Sequence, residues 1–249
     1  MMNLSQDISY KDIMKDIMIN NTCTTGSFSY DSYQQYRYIY VMISQTYTKV
    51  GRIIRTLGRV KYNHAAISLD ADLERMYAFA RKQHNALLPG RLVSENVSRY
   101  TLGRADDVQV VIFRIRVPLA QYRWIERTIQ NIQSDDTYIY NFLSVLTYPI
   151  FRGFETYKAF SCMEFVMYIL SGAGFKLSRP LHSYTPDELL EYLDEFIYYD
   201  GNLLDYKDDG EMDEDYFAPF TRDTFKMTIV EIKILLVRLV MSHRAGSWK

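Results

Sequence analysis

A cysteine placed at the start of a predicted helix is the first residue of this chain that suggests chemistry. Ser161 precedes Cys162, and Glu164 completes the Ser-x-x-Glu spacing of a helix capping box before an apolar run. Cys162 then lies in the first helical turn, where free N–H groups and the positive end of the helix dipole favour a thiolate. The spacing therefore predicts a nucleophilic thiol.

Apolar residues follow Cys162 at the spacing of an amphipathic helix. They are Phe165, Val166, Ile169 and Leu170. The thiol is therefore expected to point toward the surface on which this helix packs. Its use as a nucleophile depends on a base that faces it from that surface.

His64 is the candidate base. It lies in segment 62–70, which predicts a strand with His64, Ala66 and Ser68 on one face. Such small neighbours let a helix approach closely and keep an imidazole within reach. The imidazole would take the thiol proton and return it to the leaving group. Because His64 and Cys162 lie 98 positions apart (162 − 64), only the fold can join them.

Structural roles remain open for both residues. A single histidine on a strand is usually structural or exposed, and a single cysteine on an apolar helix face is usually a small core residue. The capping box and the small-residue strand face favour catalysis but do not exclude these roles.

The elements that must position the pair predict an α+β fold, with a strand-rich middle flanked by helices. Strands are predicted at 38–46, 62–70, 74–82 and 108–118. Helices are predicted at 1–20, 49–58, 119–133, 162–171 and from 185 onward. Segments 83–104 and 205–215 predict loops, and the last forty residues predict a helix or a strand. We divide the chain into an N-terminal extension (1–37), a central domain (38–200) and a C-terminal part (201–249).

This order of residues resembles the permuted branch of the NlpC-type, papain-like superfamily. In that branch the histidine strand precedes the cysteine helix, as His64 precedes Cys162 here. Short motifs extend the resemblance, over 38–175, to a group of uncharacterised bacterial proteins. These motifs are Ser-x-Thr at 44–46, Asn-His at 63–64 and Tyr-x-Phe-x-Arg at 77–81.

The resemblance implies a papain-like antiparallel sheet packed against the helix that bears the nucleophilic cysteine. It implies hydrolysis of an amide or ester bond through a covalent acyl-enzyme, without a cofactor. It also implies a third polar residue on the strand after the histidine, and here the sequence departs from the pattern. That strand carries no carboxamide or carboxylate in its interior, so we expect Tyr77 or a backbone carbonyl to orient His64. Ser44 and Arg81 are the candidate substrate-binding residues.

Other functions stay open on the same residues. The departure at the third residue leaves a Cys-His dyad, or a non-catalytic binding module that has kept the fold, as alternatives. A lipid-directed acyltransferase or thioesterase is another alternative, because 227–241 mixes apolar residues with Lys233 and Arg238 and would suit peripheral membrane contact. No metal is expected, because the chain lacks a closely spaced pair of ligands.

Composition narrows the setting. The net charge of −1 argues against a nucleic-acid partner, so the expected partner is a peptide, amide or acyl-ester substrate. The two cysteines, Cys23 and Cys162, do not form a disulfide pattern, and no signal peptide or transmembrane segment is predicted. We therefore expect reduced thiols and a cytoplasmic location. The sequence predicts no oligomeric state.

Overall fold

A six-stranded antiparallel sheet organises the chain in the computed structural model, which describes residues 35–105, 107–208 and 210–246. The sheet and its helices confirm the predicted α+β class. The helix predicted at 1–20, the segment that follows it and Cys23 lie outside the described residues.

The sheet has the strand order β4-β3-β2-β1-β5-β8, and a parallel pair, β6 and β7, lies apart from it. The strands are β1 (Tyr36–Ser44), β2 (His64–Ser68), β3 (Met76–Arg81), β4 (Gly90–Glu95), β5 (Gln109–Pro118), β6 (Ile139–Tyr140), β7 (Ala159–Phe160) and β8 (Ile197–Asn202). The helices are α1 (Lys49–Gly58), α2 (Val97–Thr101), α3 (Leu119–Ser134), α4 (Phe142–Phe151), α5 (Cys162–Gly172), α6 (Pro186–Tyr192), α7 (Leu203–Tyr206), α8 (Glu214–Phe217) and α9 (Arg222–Gly246).

Alternation along the central strands separates two cores. In β1, Val41 and Ile43 face the larger core, which α3 and α5 cover. Tyr40 and Met42 face a smaller core that includes Tyr100 of α2. Because the sheet is covered on both faces, residues of either parity in β1 are buried.

The cysteine helix α5 packs on β2 and β3. Phe165 of α5 meets Phe79 of β3 with their ring centroids 5.5 Å apart. At the other end of the helix, Gly172 lies under the indole of Trp124 from α3. A Cβ on Gly172 would fall 2.1 Å from that ring, so a glycine is required for this contact. Both ends of α5 are thus held by aromatic contacts.

Two regions were predicted wrongly, and for a third, the C-terminal region, the structure decides between the predicted helix and strand. Segment 83–104 is not a loop, because it contains β4 and α2. Strand β8 was not predicted and spans residue 200, where we placed a boundary. The C-terminal region is the helix α9, which buries Glu231 and Leu235 against the rest of the chain. Among the helices of the described residues, none has the length and apolar character that crossing a bilayer requires.

Candidate active site

Cys162 opens α5, and the predicted capping box is present. Ser161 Oγ accepts a hydrogen bond from the Glu164 amide at 3.1 Å, and the Glu164 carboxylate accepts one from the Ser161 amide at 2.6 Å. This box uses the amides of Ser161 and Glu164 and leaves those of Cys162 and Met163 for a ligand. Cys162 is buried, with 7% of its surface exposed.

His64 opens β2 and lies opposite Ser44 of β1 in the antiparallel register. Its Nε2 lies 2.9 Å from Oε2 of Glu95, and 14% of its side chain is exposed. The ring also contacts Tyr100, with centroids 5.7 Å apart. The imidazole is therefore held on one side by a carboxylate and an aromatic ring.

The Cys162 thiol and the His64 imidazole interact through a hydrogen bond and through their charges. Burial lowers the pKa of His64, but the charge of Glu95 and hydrogen bonds with Cys162 and Glu95 raise it to about 10. At neutral pH the ring is therefore an imidazolium. Because Glu95 occupies Nε2, Nδ1 is the ring nitrogen left for the sulfur. The two residues that the sequence singled out, 98 positions apart (162 − 64), are thus brought together.

Glu95 is the buried carboxylate of this group, with 4% of its side chain exposed. Burial raises the pKa of Glu95, but the charge and hydrogen bond of His64 and the charge of Arg99 lower it below its ordinary value. The Tyr100 hydroxyl donates a further short hydrogen bond to Oε2. Burial and the charge of Glu95 raise the pKa of Tyr100, so this hydroxyl remains a donor.

The side chain that orients His64 is Glu95, and not Tyr77 as predicted from the sequence. Register explains the correction: Glu95 pairs with Met76, so it shares the face of the sheet that carries the smaller core and Tyr100. Tyr77 is the next residue along β3, and it packs against the larger core on the opposite face. The third polar residue therefore comes from β4, one strand further than the one in which we sought it.

The two predicted substrate-binding residues lie in different settings. Ser44 is fully buried beside His64, and its hydroxyl makes no hydrogen bond within the described residues. A substrate cannot reach it there, which corrects the prediction. Arg81 lines a small cavity and donates hydrogen bonds to the carbonyls of His84 and Ala86, so it also holds the loop after β3.

Two cavities meet at the Cys162–His64 pair. On the sulfur side, a cleft of about 300 Å³ runs between α4 and the segment around Tyr184–Pro186. On the imidazole side, a cavity of about 60 Å³ is lined by His64, Glu95 and other polar groups. Asn63 and Tyr140 line both. The reactive pair thus lies at the boundary between an apolar and a polar space.

Tyr140 is a residue that the sequence analysis missed. It lies on β6, directly opposite Phe160 in the pair that leads into Ser161. Gly90 lets it come close, because a Cβ there would fall 2.5 Å from Cβ of Tyr140. Burial and the charge of Cys162 raise the pKa of Tyr140, so its hydroxyl keeps its proton beside the sulfur.

Glu164 is a second buried carboxyl near the thiol, behind the first turn of α5. It receives weak hydrogen bonds from Asn141, which also caps α4 through the Ser144 amide. Burial raises the pKa of Glu164 to about 7, against the hydrogen bonds of Ser161 and Asn141 that lower it. The starts of α4 and α5 are therefore joined by a group that titrates near neutrality.

Metal ligands do not converge at this site. The described residues contain no group of three histidine, cysteine, aspartate or glutamate side chains arranged to hold an ion. His84 lines neither cavity, and its Nδ1 lies 3.1 Å from the carbonyl oxygen of Tyr216.

Comparison of the chain with protein-family models, with curated proteins and with solved structures finds no match. Function is therefore inferred from the geometry of Cys162, His64 and Glu95.

Proposed function

We propose that this protein is a thiol hydrolase that cleaves an amide or ester bond through an acyl-enzyme on Cys162. The observation that carries the proposal is the chain of contacts from the Cys162 thiol through His64 to buried Glu95. Each member has a distinct role: Cys162 is the nucleophile, His64 the acid and base, and Glu95 the positioning residue.

The reaction would take two steps. The Cys162 thiolate attacks the carbonyl carbon, and the tetrahedral intermediate expels the leaving oxygen or nitrogen as His64 donates its proton to it. Water then attacks the thioester while His64 takes one of its protons, and the intermediate collapses to a carboxylic acid and the Cys162 thiolate, which restores the thiolate–imidazolium pair. The charge of Glu95 stabilises the imidazolium form of His64, which must be present at the start of each reaction cycle.

Donors for the oxyanion come from two elements. The amides of Cys162 and Met163 lie at the positive end of α5, and Tyr140 of β6 lines the same cleft as Cys162, so its hydroxyl is the third candidate donor. Three donors of this kind would stabilise the charge that develops on the carbonyl oxygen. Arg81 is retained as a candidate for binding the leaving group, because it lines the cavity on the imidazole side.

The resemblance to permuted papain-like enzymes is part of the same proposal. It is supported by the order of the histidine strand and the cysteine helix, and by an antiparallel sheet behind that helix. Glu95 supplies the polar partner of His64 that the third strand lacks. The absence of a polar residue from the interior of β3 had favoured a Cys-His dyad or a non-catalytic module. Because Glu95 of β4 provides that polar residue, this reason for the two alternatives no longer applies.

Thiol labelling tests the proposal. In a Cys23→Ser background, iodoacetamide should alkylate Cys162 faster than a free cysteine peptide at pH 7, as followed by mass spectrometry. His64→Gln should remove most of this excess rate. Equal rates in both proteins, together with the absence of hydrolysis of activated esters, would contradict a catalytic Cys162.

An acyltransferase that uses a lipid acceptor is a second candidate, supported by α9. This helix buries Leu235 but exposes a row of apolar side chains, among them Val230, Leu236, Val240 and Met241. Such a face suits the peripheral membrane contact that segment 227–241 predicted. Co-sedimentation with phosphatidylcholine vesicles that is lost in Leu236→Glu, with transfer of an acyl group to the lipid, would favour this candidate over hydrolysis.

A further inference from the structure

We infer that the acyl part of the substrate is an uncharged, apolar chain of medium length that binds in the cleft beside Cys162. The inference rests on the proposed function and deepens it, because it names the substrate class. It follows from the lining of the cleft, from its volume and from its position relative to the sulfur.

The wall of the cleft is apolar. Its side chains include Val60, Phe142, Val145, Met163 and Pro186, and Asp, Glu, Lys and Arg are absent from the lining formed by the described residues. A charged acyl group would lose its hydration here without gaining a partner, which is costly. A polar, ionised peptide is therefore disfavoured, and an aliphatic chain is favoured.

Several polar groups of the lining away from the sulfur already have partners within the protein. The Tyr148 hydroxyl donates to the Ser183 carbonyl at 3.0 Å, and Ser144 Oγ accepts from the Phe154 amide at 2.9 Å. Burial lowers the pKa of His182, so this imidazole is neutral at pH 7. These groups add little polarity to the space that a ligand would occupy.

The volume sets the length of the chain. The cleft measures about 300 Å³. An apolar protein cavity of ~150 Å³ holds one benzene molecule, so the cleft has room for roughly twelve carbon atoms. Exposed Leu87 and Leu146 also line it, which extends the apolar surface to the opening. A chain of about eight to twelve carbons would fill the space, whereas an acetyl group would leave it nearly empty.

The position of the cleft assigns it to the acyl part rather than the leaving group. Cys162 and Met163 form part of its wall, so the carbonyl carbon under attack would lie at its inner end. His64 lies at the other cavity, and an acid that protonates the leaving group must face that group.

A series of nitrophenyl esters tests this assignment. We expect kcat/KM to rise by about tenfold or more from acetate to octanoate, because each added methylene buries further apolar surface in the cleft, and to fall again at hexadecanoate, which exceeds its volume. Val145→Trp, which narrows the cleft, should lower the octanoate-to-acetate ratio of kcat/KM by about tenfold. Ile197→Trp, on the exposed edge strand β8, is the matched control and should leave the ratio as it is in the parent.

A binding measurement separates the two proposals. In Cys162→Ala, calorimetry should show octanoate binding more tightly than acetate, with the preference reduced by Val145→Trp. Hydrolysis that depends on Cys162 but has no chain-length preference would overturn the inference and leave the proposed function standing. No hydrolysis of any ester would contradict the proposed function, and equal binding of octanoate and acetate would then overturn the apolar assignment as well.

Discussion

The two cavities beside Cys162 and His64 differ in size and in chemistry. The cleft on the sulfur side is about five times larger than the cavity on the imidazole side (about 300 against about 60 Å³). Uncharged side chains surround the first, whereas Glu95, Arg81 and Arg99 approach the second. The difference separates two tasks: holding a substrate, and holding a charged imidazole in place.

This separation has a physical reason. An imidazolium buried among apolar side chains would lose its proton, because burial favours the neutral form. The carboxylate of Glu95 reverses this preference only because it lies 2.9 Å away in an equally buried place. The polar side is therefore small and filled by the protein, while the apolar side stays open for a ligand.

Removing the Glu95 carboxylate from the polar cavity should have the largest effect of any single change at the two cavities, and the effect should be on stability. Glu95→Ala leaves the imidazolium without its buried counter-charge and removes the carboxylate acceptor of the Tyr100 hydroxyl. We therefore expect the free energy of unfolding to fall by about 3–5 kcal/mol at pH 7. Urea denaturation measures this change. Lys226→Ala, which breaks an exposed ion pair with Asp223, should cost less than about 1 kcal/mol. Similar costs for the two variants would mean that the polar side does not hold the ring.

Tyr140 lies where the two cavities join, and its hydroxyl should act on the reaction rather than on the fold. Tyr140→Phe removes one oxyanion donor and should lower kcat for an activated ester by about 100- to 1,000-fold. Tyr122→Phe is the control. It removes a hydroxyl that donates to the Leu69 carbonyl at 3.1 Å and that lines neither cavity. It should lower stability by about 1 kcal/mol and leave kcat near that of the parent. An equal loss of kcat in both variants would contradict the donor role.

The polar side should make stability depend on pH. The pKa of His64 is raised to about 10 in the folded protein, so its contribution is fully present below pH 6.5 and is lost as the pH rises toward 10. The slope is at most about 1.4 kcal/mol per pH unit. Subtracting the unfolding free energy of His64→Gln from that of the parent, between pH 6 and pH 10, isolates it. A difference that stays constant over this range would show that the ring is neutral.

Glu164, behind the sulfur, should give a smaller effect over a narrower range. Its pKa is raised to about 7, so the folded state binds the proton more tightly and stability decreases as the pH rises from about 4.5 to 7. Glu164→Gln removes this decrease while retaining a side chain that can cap α5. Thermal denaturation of both proteins at pH 5 and pH 7 checks it, and an unchanged difference between the two pH values would contradict the assignment.

Local signals in the sequence were sufficient for the reactive pair. The capping box placed Cys162 at the start of α5. The alternation in β2 put His64 and Ala66 on one face, but that face carries the smaller core, whereas α5 packs on the opposite face with Ala65 and Ile67. The expectation that the small-residue face admits the cysteine helix was therefore wrong. Runs of β-branched and aromatic residues predicted β1 and β5, the latter ended by a proline. The order of these elements predicted the α+β class, whereas the antiparallel sheet was expected only from the resemblance.

Glu95 and Tyr140 could not be predicted in this way. Strand β4 follows a proline and interrupts its apolar residues with Arg91 and Ser94, so segment 83–104 showed no strand pattern. Strand β6 has two residues, which is too short for any periodicity. Both residues reach the site through strand pairings made by the folded chain. The cleft, too, is formed by several elements, and no single segment encodes it.

Gly172 makes the seat of α5 depend on a contact at the end of the helix opposite the sulfur. The helix extends over eleven residues from Cys162, and the indole of Trp124 lies against Gly172. A methyl group at position 172 would overlap the ring, so either the helix or the indole would have to move. Neither Gly172 nor Trp124 lines the two cavities, so substitutions at this pair would alter the support of the nucleophile's helix and leave the lining of both cavities as it is.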